Sequence, residues 1–63
     1  MSAATLHSST AAHAAAESLI IAGSPFSLEP MPDDEWTLTF KEELRNVLIF
    51  ALLSIEPAAV AAR

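Results

Sequence analysis

Cysteine and tyrosine are absent from this 63-residue sequence, and glycine occurs once, at Gly23. Without cysteine the chain can form neither a disulfide nor a thiolate metal site. A single glycine rules out a P-loop or a dinucleotide-binding fingerprint, since both need several glycines at fixed spacing. His7 and His13 are the only imidazoles, and they stand six residues apart, which does not place two metal ligands on one helical face. We therefore expect no catalytic residues, no metal site and no cofactor, and we predict that the chain is not an enzyme.

Positive charge is scarce as well. Lys41, Arg45 and Arg63 stand against eight acidic residues, and the formal net charge is −5. Binding to nucleic acids and to anionic membranes relies on clustered Lys and Arg, so we expect neither. Six of the carboxylates lie between Glu29 and Glu43. They either dock a basic surface on a target or keep a small protein in solution.

A long apolar run is also missing. The longest strongly apolar run is 47–53, whereas a membrane-spanning helix needs about 20 residues. Near the start of the chain no basic segment precedes an apolar stretch, as a secretory signal would require. We therefore expect a cytoplasmic protein, with the run at 47–53 buried in a helix.

The first half of the chain predicts a tail and one helix. Residues 1–8 are small and polar without periodicity, which is typical of a disordered N-terminal tail. Ser or Thr at 8–10 can cap a helix that runs through the alanine-rich segment 9–22. Gly23 and Pro25 then end that helix.

The second half predicts a loop and a longer helix. Residues 23–35 carry three prolines and are expected to form an ordered loop. Thr39 and Glu42 match a capping box, and apolar residues at helical spacing continue toward Pro57, so we predict a helix over 38–56. The alternation of apolar and polar residues at 36–40 is an alternative sign of a short strand, but no partner strand is evident unless two copies pair.

These elements predict an all-α fold, a helical hairpin over 9–63 that forms a single domain. Two copies are expected to pair through the second helix into a four-helix homodimer. Apolar residues around that helix exceed what one alanine-rich partner helix can cover, and an exposed apolar patch usually marks an interaction site. The alternative is that the proline-rich loop covers them. The predicted protein interface comprises Trp36, Val47, Ile49, Phe50 and Leu53.

Two functions fit this pattern. The first is a small acidic regulatory protein that binds another protein, as an inhibitor, an antitoxin-like neutraliser or an adaptor. The second is a structural or accessory subunit that completes a larger protein complex. A domain of this size buries only about 60% of its unfolded surface, so its stability is small. In both functions a partner chain adds to that stability.

Overall fold

An antiparallel sheet of three strands is the centre of the computed structural model, which describes residues 1–61. Strand β1 is Ser2–Leu6, β2 is Phe26–Pro30 and β3 is Trp36–Phe40. The last strand in sequence lies in the middle of the sheet, so that the order is β1–β3–β2. Both outer strands run antiparallel to β3, and each of them is an edge of the sheet.

Helices cover one face of this sheet. Helix α1 is Ser9–Ala22 and joins the two edge strands, α2 is Arg45–Ala51, and α3 is the single turn Ala58–Ala61. A tight turn at Pro32–Asp34, in which Asp33 and Asp34 have positive φ, precedes β3. A short 3₁₀ turn at Glu42–Leu44 precedes α2. Within residues 1–61 the chain is therefore a two-layer α+β structure.

The core lies between the sheet and the helices. Side chains of a strand alternate between its two faces, and on β1 and β3 the buried residues follow that alternation. The core contains no polar residue in the described part of the chain. The buried residues are Ala4, Leu6, Ala11, Ala12, Ala15, Leu19, Leu38, Phe40, Leu48, Leu52 and Val60.

Local signals at both ends of α1 explain its bounds. The Ser8 hydroxyl accepts the backbone N–H of Ala11 at 3.1 Å, which satisfies one of the unpaired donors of the first turn. At the other end Gly23 has a φ of 70°, a left-handed conformation that glycine adopts without steric penalty. Backbone N–H groups of Gly23 and Ser24 bond the carbonyls of Ile20 and Leu19. The prediction of a helix over 9–22 is confirmed.

The predicted all-α helical hairpin is wrong, and so is the four-helix arrangement built from it. Residues 1–8, expected to be a disordered tail, contain β1, and the expected loop at 23–35 contains β2. Residues 38–40, assigned to the second helix, belong to the central strand, and the helix that follows ends at Ala51. The chain is a small α+β fold.

The pairing partners of residues 36–40 explain why the prediction for the second half of the chain was wrong. The period-two alternation at 36–40 reflects a real strand, which pairs on both sides with residues 2–6 and 26–30. The predicted capping box does not form, because Thr39 lies within β3. Glu42 instead accepts a hydrogen bond from Nε of Arg45 at 2.7 Å. The prolines at 25 and 30 are compatible with β2 because it is an edge strand.

Candidate functional site

Helix α2 presents apolar side chains to solvent. Phe50 is 81% exposed and Leu53, in the turn that follows the helix, is 59% exposed. Val47 is exposed one turn before Phe50. We call these three residues the α2 surface. Val47 and Phe50 are three residues apart, which places them on neighbouring turns of the same side of the helix, and Leu53 follows Phe50 by three residues.

The α2 surface is exposed because the opposite side of the helix enters the core. Leu48 and Leu52 stand four residues apart and are fully buried. At about 100° per residue, Phe50 lies about 200° around the helix axis from Leu48 and faces away from the sheet. Helix α1 behaves similarly at its end, where Leu19 is buried while Ile20 and Ile21 are exposed.

The residues of the predicted interface divide between the surface and the core. Val47, Phe50 and Leu53 form the α2 surface. Ile49 is half-buried and packs against the core. Trp36, the first residue of β3, is also half-buried against the core and pairs with Leu6 of β1. The structure therefore brings three of the five residues together and places the other two inward.

A second cluster joins three parts of the chain that are distant in sequence. The backbone N–H of His7, just after β1, donates to the two carboxylate oxygens of Glu56 at 2.9 and 3.0 Å. Nδ1 of the same histidine also contacts Glu56. Its Nε2 lies 3.3 Å from a carboxylate oxygen of Glu35, in the hairpin before β3. No local sequence pattern marks this cluster, because its members come from positions 7, 35 and 56.

The environment of His7 favours the imidazolium form. The hydrogen bond with Glu56 raises the pKa of His7, and the negative charges of Glu56 and Glu35 act in the same direction. Each ring nitrogen faces a different carboxylate. The ring therefore lies between the two carboxylates. Within residues 1–61 no group of three or more His, Asp or Glu is arranged to hold a metal.

The guanidinium of Arg45 makes its contacts with other residues of the chain. It donates to Glu42 and to the carbonyl of Val60, and it lies 5.4 Å from the centre of the Phe40 ring. Asp33 and Asp34 of the β2–β3 hairpin, in contrast, are both exposed. The described surface is therefore acidic around this hairpin.

An open groove runs along the first strand. It has a volume of about 370 Å³ and lies between β1, the centre of the sheet and α3. Apart from His7, its walls are short uncharged side chains. The lining residues are Ala3, Ala4, Thr5, His7, Thr37, Ala58 and Ala59.

Comparisons with known proteins identify no relative. The chain matches no protein-family model, and no curated protein or solved structure is significantly similar to it. No helix in residues 1–61 has both the length and the apolar character needed to cross a membrane.

Proposed function

We propose that this chain is a small acidic regulatory protein that acts by binding another protein through the α2 surface. The observation that carries the proposal is the 81% exposure of Phe50. Burying a phenylalanine side chain contributes about 1.5–3 kcal/mol. Aromatic residues also supply much of the binding energy at protein interfaces when they enter a pocket on the partner.

The chemistry of the α2 surface limits the kind of partner. Phe50, Val47 and Leu53 are apolar, so they fit an apolar groove or pocket on the target. The exposed carboxylate of Glu43 lies just before the helix, whereas that of Glu42 pairs with Arg45. Basic residues around the groove would therefore increase the rate of association. The proposal places this interaction in the cytoplasm and involves no catalysis, nucleic acid or membrane.

An accessory subunit of a larger complex is the alternative function. It predicts a chain that is unfolded or aggregated when it is produced alone. The continuous buried core, which draws on all three strands and all three helices described in residues 1–61, favours the regulator. Circular dichroism and size-exclusion chromatography of the isolated chain separate the two functions.

The α2 surface is tested by comparing the wild-type chain with Phe50→Glu in affinity capture from the native host. The matched control is Ser54→Glu, which adds the same charge at an exposed position in the following turn. A captured protein is then purified and titrated against all three chains by calorimetry. We expect the wild type and Ser54→Glu to bind and Phe50→Glu to bind at least about tenfold more weakly. Equal affinity for the wild type and Phe50→Glu would contradict the proposal.

A further inference from the structure

One hydrogen bond at the β2–β3 hairpin shows which residues of the sheet form hydrogen-bonded pairs. There the backbone N–H of Met31 donates to the carbonyl of Glu35 at 2.8 Å. In an antiparallel pair, hydrogen-bonded and non-hydrogen-bonded positions alternate along the strands. On β3 the backbone groups of 37 and 39 therefore face β2, while those of 36, 38 and 40 face β1.

The same alternation decides which groups of β1 face its open side. Residues 36, 38 and 40 pair with Leu6, Ala4 and Ser2, so the backbone groups of these three β1 residues bond β3. The backbone groups of Ala3 and Thr5 then point away from the sheet. His7 follows Thr5 by two residues, so its N–H is expected to point away from β3 as well. It does, since it donates to Glu56.

The outward groups of Ala3 and Thr5 are two N–H donors and two carbonyl acceptors. They make no hydrogen bond to any of residues 1–61, and they lie in the groove along β1. An exposed strand edge of this kind is a template for pairing with another strand. The opposite edge is different, since β2 carries Glu29 and ends at Pro30, and both residue types discourage edge pairing.

We propose that β1 pairs antiparallel with β1 of a second copy of this chain. Ala3 of one copy lies opposite Thr5 of the other, and the two-fold axis passes between the two Ala4 residues. In this register all four outward backbone groups of each copy are paired. The two sheets become one continuous sheet of six strands, three from each copy. This inference is independent of the proposed function, because it uses the sheet edge and not the α2 surface.

Charge and side-chain size support a second copy of this chain as the partner that pairs with the β1 edge. Each chain has a net charge of −5, so two copies approach most readily through an uncharged surface. Strand β1 has no charged residue, and the nearest charged groups stand at its ends, where Ser2 donates to Glu42 and His7 meets Glu56. At the axis two alanines fit the short distance of a non-hydrogen-bonded pair.

Amide hydrogen exchange by NMR tests the proposal on the wild-type chain. In a monomer the N–H groups of Ala3 and Thr5 face solvent and exchange rapidly, whereas the alternate N–H groups of Ala4 and Leu6 are protected by β3. In the proposed dimer the amides of Ala3 and Thr5 become protected as well. Light scattering coupled to size-exclusion chromatography, over a dilution series, should give twice the mass of one chain.

Two substitutions of Thr5 distinguish an effect on pairing at the β1 edge from an effect on folding. Thr5→Pro removes an outward donor without removing a hydrogen bond to β3, and proline is tolerated on edge strands. Each dimer then loses two hydrogen bonds, so we expect self-association to weaken about tenfold or more. Thr5→Val keeps the N–H and a similar volume, and it should associate as the wild type does.

Several outcomes would overturn the proposal. One is a wild-type chain that stays monomeric at every concentration. Another is a dimer in which the amides of Ala3 and Thr5 still exchange freely. A third is protection of these amides only when a different protein is added, which would make that protein the occupant. Because exchange is measured on the wild type, the test stands even if Thr5→Pro fails to fold.

Discussion

His7 and Glu56 are 49 residues apart in sequence, and they connect the end of the first strand to the turn after α2. The Glu56 carboxylate accepts the backbone N–H of His7 through both oxygens and also contacts the imidazole ring. The side chain of Glu56 is only 18% exposed, whereas that of His7 is 59% exposed. The carboxylate is therefore the partly buried member of the pair and fixes the position of β1 relative to the helices.

Replacing Glu56 by glutamine should destabilise the fold. The amide keeps one acceptor oxygen but loses the charge that pairs with the imidazolium, and hydrogen bonds to charged groups are the stronger ones. We expect a loss of about 1 kcal/mol, or a fall in melting temperature of about 4–8 °C for a domain of this size. Glu29→Gln, an exposed carboxylate on β2, is the matched control. Thermal melts of equal midpoint for the two variants would contradict the prediction.

The stability of the chain should depend on the protonation of His7. Its pKa is raised in the folded state above the ordinary value of 6.5. The stabilisation is then fully present below about pH 6.5 and is lost as the pH rises through the raised pKa of the folded state. Denaturation experiments from pH 6 upward should therefore give a falling midpoint. His7→Gln should remove that slope and His13→Gln should keep it, and an unchanged slope in His7→Gln would exclude this origin.

Leu6 should be one of the most sensitive positions of the chain. Its side chain is fully buried, and truncation of a buried leucine to alanine removes about 2–5 kcal/mol through lost burial and the cavity left behind. Chemical denaturation of Leu6→Ala should therefore show a large loss of stability. Ala3→Ser, at an exposed position of the same strand, should change it by no more than about 0.5 kcal/mol. A disordered N-terminal tail would instead leave both variants equal to the wild type.

Truncation should affect stability much less at Phe50 than at Leu48. Phe50→Ser removes a side chain that is 81% exposed, so we expect a change within about 0.5 kcal/mol. Leu48→Ala removes a fully buried side chain and should destabilise by about 2–5 kcal/mol. Urea denaturation of both variants measures the difference. A large loss of stability in Phe50→Ser would mean that Phe50 belongs to the core and not to a binding surface.

The candidate site was predictable from sequence only in part. An excess of apolar residues around the predicted second helix indicated that some of them would be exposed, and Val47, Phe50 and Leu53 are. Ile49 and Trp36 pack against the buried core instead, and Trp36 is itself part of the sheet that the predicted fold lacked. The cluster around His7 gave no signal, since its carboxylates come from two separate turns.

The sequence by itself determined α1. Ser8 and Gly23 act on the backbone within a few residues of themselves, so capping and alanine propensity were enough to place both ends. Only the tertiary structure decided that residues 36–40 form a strand. Their alternation was visible, but a strand is stable only when its backbone groups are paired. The partners come from residues 2–6 and 26–30. Their own sequences resemble a tail and a proline-rich loop, and they form strands because they pair with β3.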